Sequence, residues 1–346
     1  MMQQMLLGLG GGGVTGPLEN TDLFEAKTYS SGASSVSTNL RLSSEGGLIW
    51  MKARDRSYHH ALWSNETLGT DGDPWAHATT CSDTNTGDKY TSSQTNSFPQ
   101  VSASSYTPGY YNFGTGEGFV NWNFLKAPGF MDIVTFQKTS AGRQGIPHSL
   151  GSVPGMIMVK NLDSAEDMYV YHRSLTSNSY YLRFNSYQNE VSNSGVWNAE
   201  TPSSTEFAVG SSLTQNDNYV AYIFAHNDAR FGANEDESVV HCGTYTGNGS
   251  YQTIDCGFVS TARFLIIKRI DQSGNSALNW FMWDYTRGLG HGADPYLMGN
   301  LPDQELVGNK NYAYSASNGF GVQEINGTNN PVVSDNGSKY VFLAIR

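Results

Sequence analysis

Charge is scarce in this chain. Asp, Glu, Lys and Arg make up 15% of its 346 residues, well under the roughly 25% of an ordinary soluble domain. Basic residues are the scarcest: 20 Lys plus Arg stand against 31 Asp plus Glu, for a net charge of −11. Nucleic-acid affinity draws on basic residues that displace counterions from phosphate. Neither a nucleic acid nor an anionic membrane surface is therefore an expected partner. Cysteine is nearly absent, with only Cys81, Cys242 and Cys256. An odd, sparse set gives no disulfide framework and reads as reduced thiols in a protein assembled in a cytoplasm. No apolar run reaches the roughly 18 residues of a membrane span. The stretch from Met1 to Val14 lacks a basic start and a long apolar core, so a cleaved signal peptide is not expected.

Small polar residues and aromatics fill the gap. Gly, Ser, Thr and Asn are abundant, with 20 Tyr, 16 Phe and 7 Trp. That mixture suits half-buried strands joined by tight turns and not helices, which draw on Ala, Leu, Glu and Lys. At roughly 100–150 residues per domain, the length accommodates two or three.

An internal repeat organises the chain. Three apolar runs end in lysine: Gly47-Leu-Ile-Trp-Met-Lys52, Gly155-Met-Ile-Met-Val-Lys160 and Phe264-Leu-Ile-Ile-Lys268. The lysines lie 108 residues apart both times, and each is followed three residues later by Asp55, Asp163 or Asp271. A second aromatic-rich run follows in each case: Tyr58 to Trp63, Met168 to Tyr171, and Trp280 to Trp283. Upstream, Thr28-Tyr29, Thr135-Phe136 and Thr244-Tyr245 precede the lysines by 24, 25 and 24 residues. Closing apolar runs follow at Phe119 to Phe124, Tyr219 to Ala225 and Tyr340 to Ile345. These landmarks divide the chain into units at 23–128, 129–232 and 237–346, preceded by an arm over 1–22. The first unit carries a long polar insertion from Asn65 to Tyr110.

Each unit reads as β structure: short runs rich in Val, Ile, Tyr, Phe and Trp, bounded by Gly, Asn, Asp and Pro. The Lys-x-x-Asp segment is expected to turn a hairpin, with Asp capping the turn through its own backbone. Asn248-Gly249, Asn326-Gly327 and Asn336-Gly337 are further turn signals. Five to eight strands in about 105 residues suit a β-sandwich. The apolar runs are continuous rather than alternating, so they read as central strands covered on both faces, which calls for packing unit on unit. The fold class expected is therefore all-β, with three tandem sandwich-like units. In the arm, Met5, Leu6 and Leu7 form an apolar tip ahead of a glycine run that includes Gly10 and Gly11. Such a segment is expected to dock onto a partner, because its entropy must be offset by ordering.

Two segments carry a family resemblance. The run Thr244-Tyr-Thr-Gly-Asn-Gly249, followed by Phe264 to Lys268 and Asp271, resembles a repeated β module of tailed-bacteriophage virion proteins, marine and cyanobacterial phages in particular. His148-Ser-Leu-Gly-Ser-Val-Pro-Gly-Met-Ile-Met-Val-Lys160 and Tyr171-His-Arg-Ser-Leu175 resemble it too. Unit 1 departs from the pattern in its insertion and in lacking the glycine-rich turn. The resemblance implies a virion structural protein with lectin-like sandwiches, placed in a tail fibre or on the capsid surface. It supplies no catalytic residue.

Motifs for chemistry are sparse. Gly8 to Gly13 lacks the strand, helix and Lys-Ser/Thr of a phosphate loop, and no Gly-x-Ser-x-Gly elbow occurs. His59 and His60 are neighbours that a strand points to opposite faces, a poor metal pair. Asp71-Gly-Asp73 resembles part of a calcium loop, but Ser82 stands where the twelfth-position Glu belongs. Asn234-Glu-Asp-Glu237 reads as a charged linker. No metal or cofactor is expected. Trp75, Tyr106, Tyr110, Tyr111 and Trp197 are candidate glycan contacts, since aromatic rings offer flat apolar faces with a polar tip; the alternative is that they pack loops onto the sandwich. The expected function is a non-enzymatic virion component, homo-oligomeric, binding other virion proteins and a host surface glycan. Two other classes stand beside it. A glycan depolymerase needs paired carboxylates across a cleft, and a free lectin ordinarily needs a secretion signal.

Overall fold

The computed structural model describes residues 18, 20–67, 75, 77–81, 88–89, 99–108, 117–272, 278–290, 294–307, 312–324 and 333–346. Within them the chain is all-β. The first group of strands is β1 (Phe24–Ser30), β2 (Val36–Ser37), β3 (Gly47–Ala53), β4 (Ala61–Ser64), β5 (His77–Thr80), β6 (Asp88–Lys89), β7 (Ser105–Tyr106) and β8 (Gly118–Leu125). Six of them form one sheet in the order β1-β8-β3-β4-β5-β6, and β2 pairs with β7 beside it.

The next group repeats the scheme. It comprises β9 (Met131–Gln137), β10 (Gln144–Pro147), β11 (Pro154–Asn161), β12 (Tyr169–His172), β13 (Tyr180–Arg183), β14 (Val191–Ser192), β15 (Glu206–Val209) and β16 (Asn218–Ala225). The sheet runs β9-β16-β11-β12-β13-β14, with β10–β15 beside it. The last group is β17 (Val240–Thr246), β18 (Gln252–Asp255), β19 (Phe264–Arg269), β20 (Phe281–Asp284), β21 (Pro295–Met298), β22 (Leu306–Val307), β23 (Ala313–Ala316), β24 (Gly319–Val322) and β25 (Lys339–Ile345). Its sheet runs β17-β25-β19-β20-β21-β22, and β18-β24-β23 form the smaller one. All three large sheets share one strand order, and each lies inside one of the ranges 23–128, 129–232 and 237–346.

The register agrees to the residue. Lys52 lies opposite Val120, which lies opposite Thr28. The same rung is Lys160–Val220–Thr135 in the second sheet and Lys268–Val341–Thr244 in the third. One rung further, on the opposite face, two rings stack in each sheet: Tyr29 on Phe119 at 5.4 Å, Phe136 on Tyr219 at 5.5 Å, and Tyr245 on Tyr340 at 4.9 Å. Such pairs add about 0.5–1.5 kcal/mol beyond their buried area.

Strands such as β3 and β11 are buried at every residue, which explains their unbroken apolar runs. One face of each large sheet meets the other two large sheets. Phe124 packs on Phe224 and Phe264, and Phe184 packs on Trp50 and Trp280. In the third sheet Ile266, Val341 and Leu343 face this shared core, while Leu265, Ile267 and Phe342 face a separate core that includes Phe320 of the small sheet. Each large sheet is thus one wall of a common interior.

Candidate functional site

The repeated residues serve architecture first. The lysine at the end of each run is buried, and its ammonium donates to the backbone of the turn beyond it. Lys52 reaches Ala53 O at 2.7 Å and Arg56 O at 3.1 Å. Lys160 reaches Glu166 O at 2.9 Å. Lys268 reaches Arg269 O, Leu278 O and, across a sheet boundary, Tyr187 O at 2.8–3.0 Å. Burial pushes Lys268 down to about 7 and Lys52 down to about 8. The repeated aspartates do not cap their own turns, as the sequence suggests. Asp55 accepts from Gly118 N and Asp163 from Asn218 N, the first amides of the closing strands β8 and β16. Each carboxylate thus gives the opening amide of an interior strand an acceptor. Asp271 accepts from Arg269 instead.

Histidines stitch the sheets together. His60 accepts at Nδ1 from Trp50 Nε1 at 2.9 Å, so its proton sits on Nε2, which faces Met298 O of the third sheet at 3.1 Å. His172 places Nε2 at 3.1 Å from Phe342 O. Both rings are buried, and burial holds them neutral: His60 lies well below its ordinary value and His172 is lowered to about 4. All three cysteines are free and buried. Glu237, in the acidic run between the second and third groups, ion-pairs with Arg346. Among the described residues no group of three or more His, Cys, Asp or Glu is placed to hold a metal ion, and no helix is long and apolar enough to cross a membrane.

Three of the candidate glycan-contact aromatics are inside the protein. Trp75 is 5% exposed, Tyr106 1% and Trp197 2%. Their rings have no open face, which removes them from a glycan contact and leaves them packing loops onto the sheets. Tyr106 OH receives hydrogen bonds from Asn121 and Asn123 at 2.9 and 3.1 Å. Trp197 ends the one-turn helix Ser194–Trp197, capped by Asn193, and its ring meets Tyr171 edge-on at 6.0 Å. Tyr110, Tyr111, Met5, Leu6, Leu7, Gly10, Gly11, Asp71 and Asp73 lie outside the described residues.

A concave site lies at one end of the second sheet, a cavity of about 670 Å³ lined by residues between 152 and 229. Its floor forms because the ladder between β11 and β16 shifts register between Pro154 and Met156, a bulge that turns the strand end outward. Gly155 at this bulge permits close approach, since a Cβ there would lie 2.6 Å from Cys242 Cβ and 2.7 Å from His226 Cβ. Tyr171 and Arg173 come from the end of β12, Asn178 and Thr201 from loops, and His226 and Asp228 from the segment after β16. Asn178 donates to Thr201 Oγ1 at 2.6 Å. His226 accepts at Nδ1 from Cys242 N at 3.2 Å, leaving Nε2 as the protonated nitrogen. Asp228 is neutralised by Arg230 through two contacts at 2.6 and 2.7 Å. The Arg173 guanidinium is exposed and has no carboxylate partner among the described residues. The site can therefore bind through one cation and several neutral donors and acceptors.

Sequence reading did not single these residues out. Tyr171 to Leu175 is visible as part of a repeated run, but nothing in its spacing marks Arg173 as facing a cavity. Asn178, Thr201 and His226 join the site only through loops 20 or more residues apart.

A family model described as a domain of unknown function (DUF7483) matches residues 19–346. The chain belongs to that family, and the match spans all three sheets. No curated protein matches the chain.

Proposed function

We propose that this chain is a non-enzymatic structural protein of a tailed-phage particle, a tail-fibre adhesin or a capsid-surface decoration, acting by assembly and surface binding. We read its three sheets as copies of one unit. The observation that carries the reading is the use of the repeated ionisable groups. The lysines cap turns, two of the aspartates cap closing strands, and the buried histidines join sheets. Residues at the most regular positions of the sequence thus build a rigid body that projects loops. The resemblance of residues 148–175 and 244–271 to a phage virion module supports the same reading. Attachment falls to the arm, whose apolar tip at Met5 to Leu7 offers about 1.5–3 kcal/mol per large side chain on burial. The partners are other virion proteins and further copies of this chain.

Quantitative mass spectrometry of gradient-purified particles tests the reading. The chain is expected in the particles at fixed stoichiometry, and a chain lacking residues 1–16 is expected to fold yet fail to join them. Protein found only free in the lysate contradicts it, as does release of reducing ends from a surface polysaccharide by the purified chain.

A further inference from the structure

We propose that the cavity at the end of the second sheet binds a carboxylated sugar, a uronate-type residue of an acidic polysaccharide, with Arg173 holding the carboxylate. This deepens the surface-binding half of the proposed function and holds whether or not the chain is found in particles.

Charge supplies the first argument. The protein carries a net charge of −11, so a lone guanidinium without a partner is a local exception. Asp228, the carboxylate lining the cavity, is already engaged by Arg230. Arg173 is therefore the net charge the cavity presents. A guanidinium fork matches a carboxylate in a bidentate way. A single guanidinium, with no further Lys or Arg lining the cavity, suits a monoanionic carboxylate better than a phosphate.

Buried polarity supplies the second. Ser152 lines the cavity, and its hydroxyl oxygen is buried with no hydrogen-bond partner among the described residues. A buried hydroxyl left without a partner is destabilising, and a ligand hydroxyl would supply that partner. Tyr171 lines the cavity too, its ring meeting Trp197 edge-on.

The lining supplies the third. Asn178 and Thr201 both donate and accept, which fits a ligand rich in hydroxyls. Val153, 50% exposed, stands beside Pro154 and offers an apolar strip for the C–H face of a sugar ring. The volume of about 670 Å³ falls within the roughly 300–1,000 Å³ of small-molecule sites.

Isothermal titration of the full chain with α-1,4-linked trigalacturonate, and with its neutral trigalactose counterpart, tests the proposal. Saturable binding of the acidic sugar is expected, with the neutral one at least tenfold weaker. Arg173→Ala should weaken trigalacturonate binding tenfold or more, and Ser152→Ala severalfold. Arg173 is exposed, so its replacement should leave the melting curve unchanged; Asn178→Ala provides a second variant with the same expected direction. Equal binding of the two sugars overturns the proposal, as does unchanged affinity in Arg173→Ala. So does the absence of saturable binding by trigalacturonate, glucuronate and sialic acid alike. Inorganic phosphate competing as tightly as the uronate would assign the site to a free anion and overturn the sugar assignment.

Discussion

The indole N–H of Trp122 donates to a carboxylate oxygen of Asp284 at 2.8 Å, joining β8 of the first sheet to β20 of the third. The same carboxylate accepts from the backbone N–H and the guanidinium of Arg287, whose own side chain is fully buried. Arg287 continues to Glu305, and Glu305 to Arg54 of the first group at 2.7 Å. A buried ion network holds its shape only while every member is present, because removing one leaves an uncompensated charge. Asp284→Ala is therefore expected to lower the unfolding free energy of the full chain by about 3–5 kcal/mol, read by urea denaturation. A loss under about 1 kcal/mol would mean the network is not holding the two sheets together.

The lysine caps give a pH signature. Burial lowers Lys268 to about 7 and Lys52 to about 8, while an unfolded lysine titrates near roughly 10.4. Between those values the unfolded chain holds protons that the folded chain has released. Stability from these groups therefore rises with pH from about 7 to about 10, at up to about 1.4 kcal/mol per unit for each. Lys268→Met should flatten that rise by one group. It should also destabilise the protein, since the carbonyls of Tyr187, Arg269 and Leu278 lose their donor, at about 1–3 kcal/mol for a buried group left unsatisfied. Thermal unfolding from pH 7 to 10 measures both, and identical slopes for the two proteins would contradict the assignment.

The histidine links predict the acid limb. Burial keeps His172 neutral down to about 4 and His60 neutral well below its ordinary value. The unfolded imidazoles take up protons near roughly pH 6.5, so stability from these groups is present above that pH and falls as the pH drops below it. For His172 the loss runs from about 6.5 to about 4, at up to about 1.4 kcal/mol per unit. His172→Gln should remove one proton from the slope of stability against pH in that window. An unchanged slope would show that the ring is not buried neutral.

Gly155 carries a steric prediction. A methyl group there would meet Cys242 and His226 at 2.6 and 2.7 Å. Gly155→Ala is expected to cost about 1–3 kcal/mol, the range for overpacking a filled interior, and to separate β11 from β17 at the cavity. A wild-type melting temperature would mean that a Cβ at Gly155 meets neither Cys242 nor His226 at those distances.

Much of the fold is legible in the sequence because local pattern and tertiary position coincide at particular residues. Lys52, Lys160 and Lys268 each stand one residue before the end of β3, β11 or β19, opposite a valine of the neighbouring strand, and Gly249 and Gly337 adopt the positive φ that their Asn-Gly pairs advertise. The unbroken run Phe264 to Ile267 signals burial on both faces, and the shared core covers one face while the core beneath the small sheet covers the other. Other relationships are not local. Asp55 and Asp163 reach across to closing strands 55 or more residues away, so spacing alone suggests a turn cap. Trp75, Tyr106 and Trp197 sit in polar stretches, and only packing reveals that their rings point inward. The cavity at the end of the second sheet is the extreme case, because its residues come from strand ends and several loops between 152 and 229, and no single segment carries its signature.

The claim on which the rest depends is that three sheets share one interior and fold as one body. Urea unfolding of the full chain, followed together by tryptophan fluorescence and far-ultraviolet circular dichroism, tests it directly. Trp50, Trp122 and Trp280 all face the shared core, so fluorescence reads the joint interior while circular dichroism reads all the strands. A single transition, with both signals coinciding, is the expected result. Two or three separated transitions, with fluorescence lost while most of the strand signal persists, would show that the sheets stand independently and would contradict the shared core.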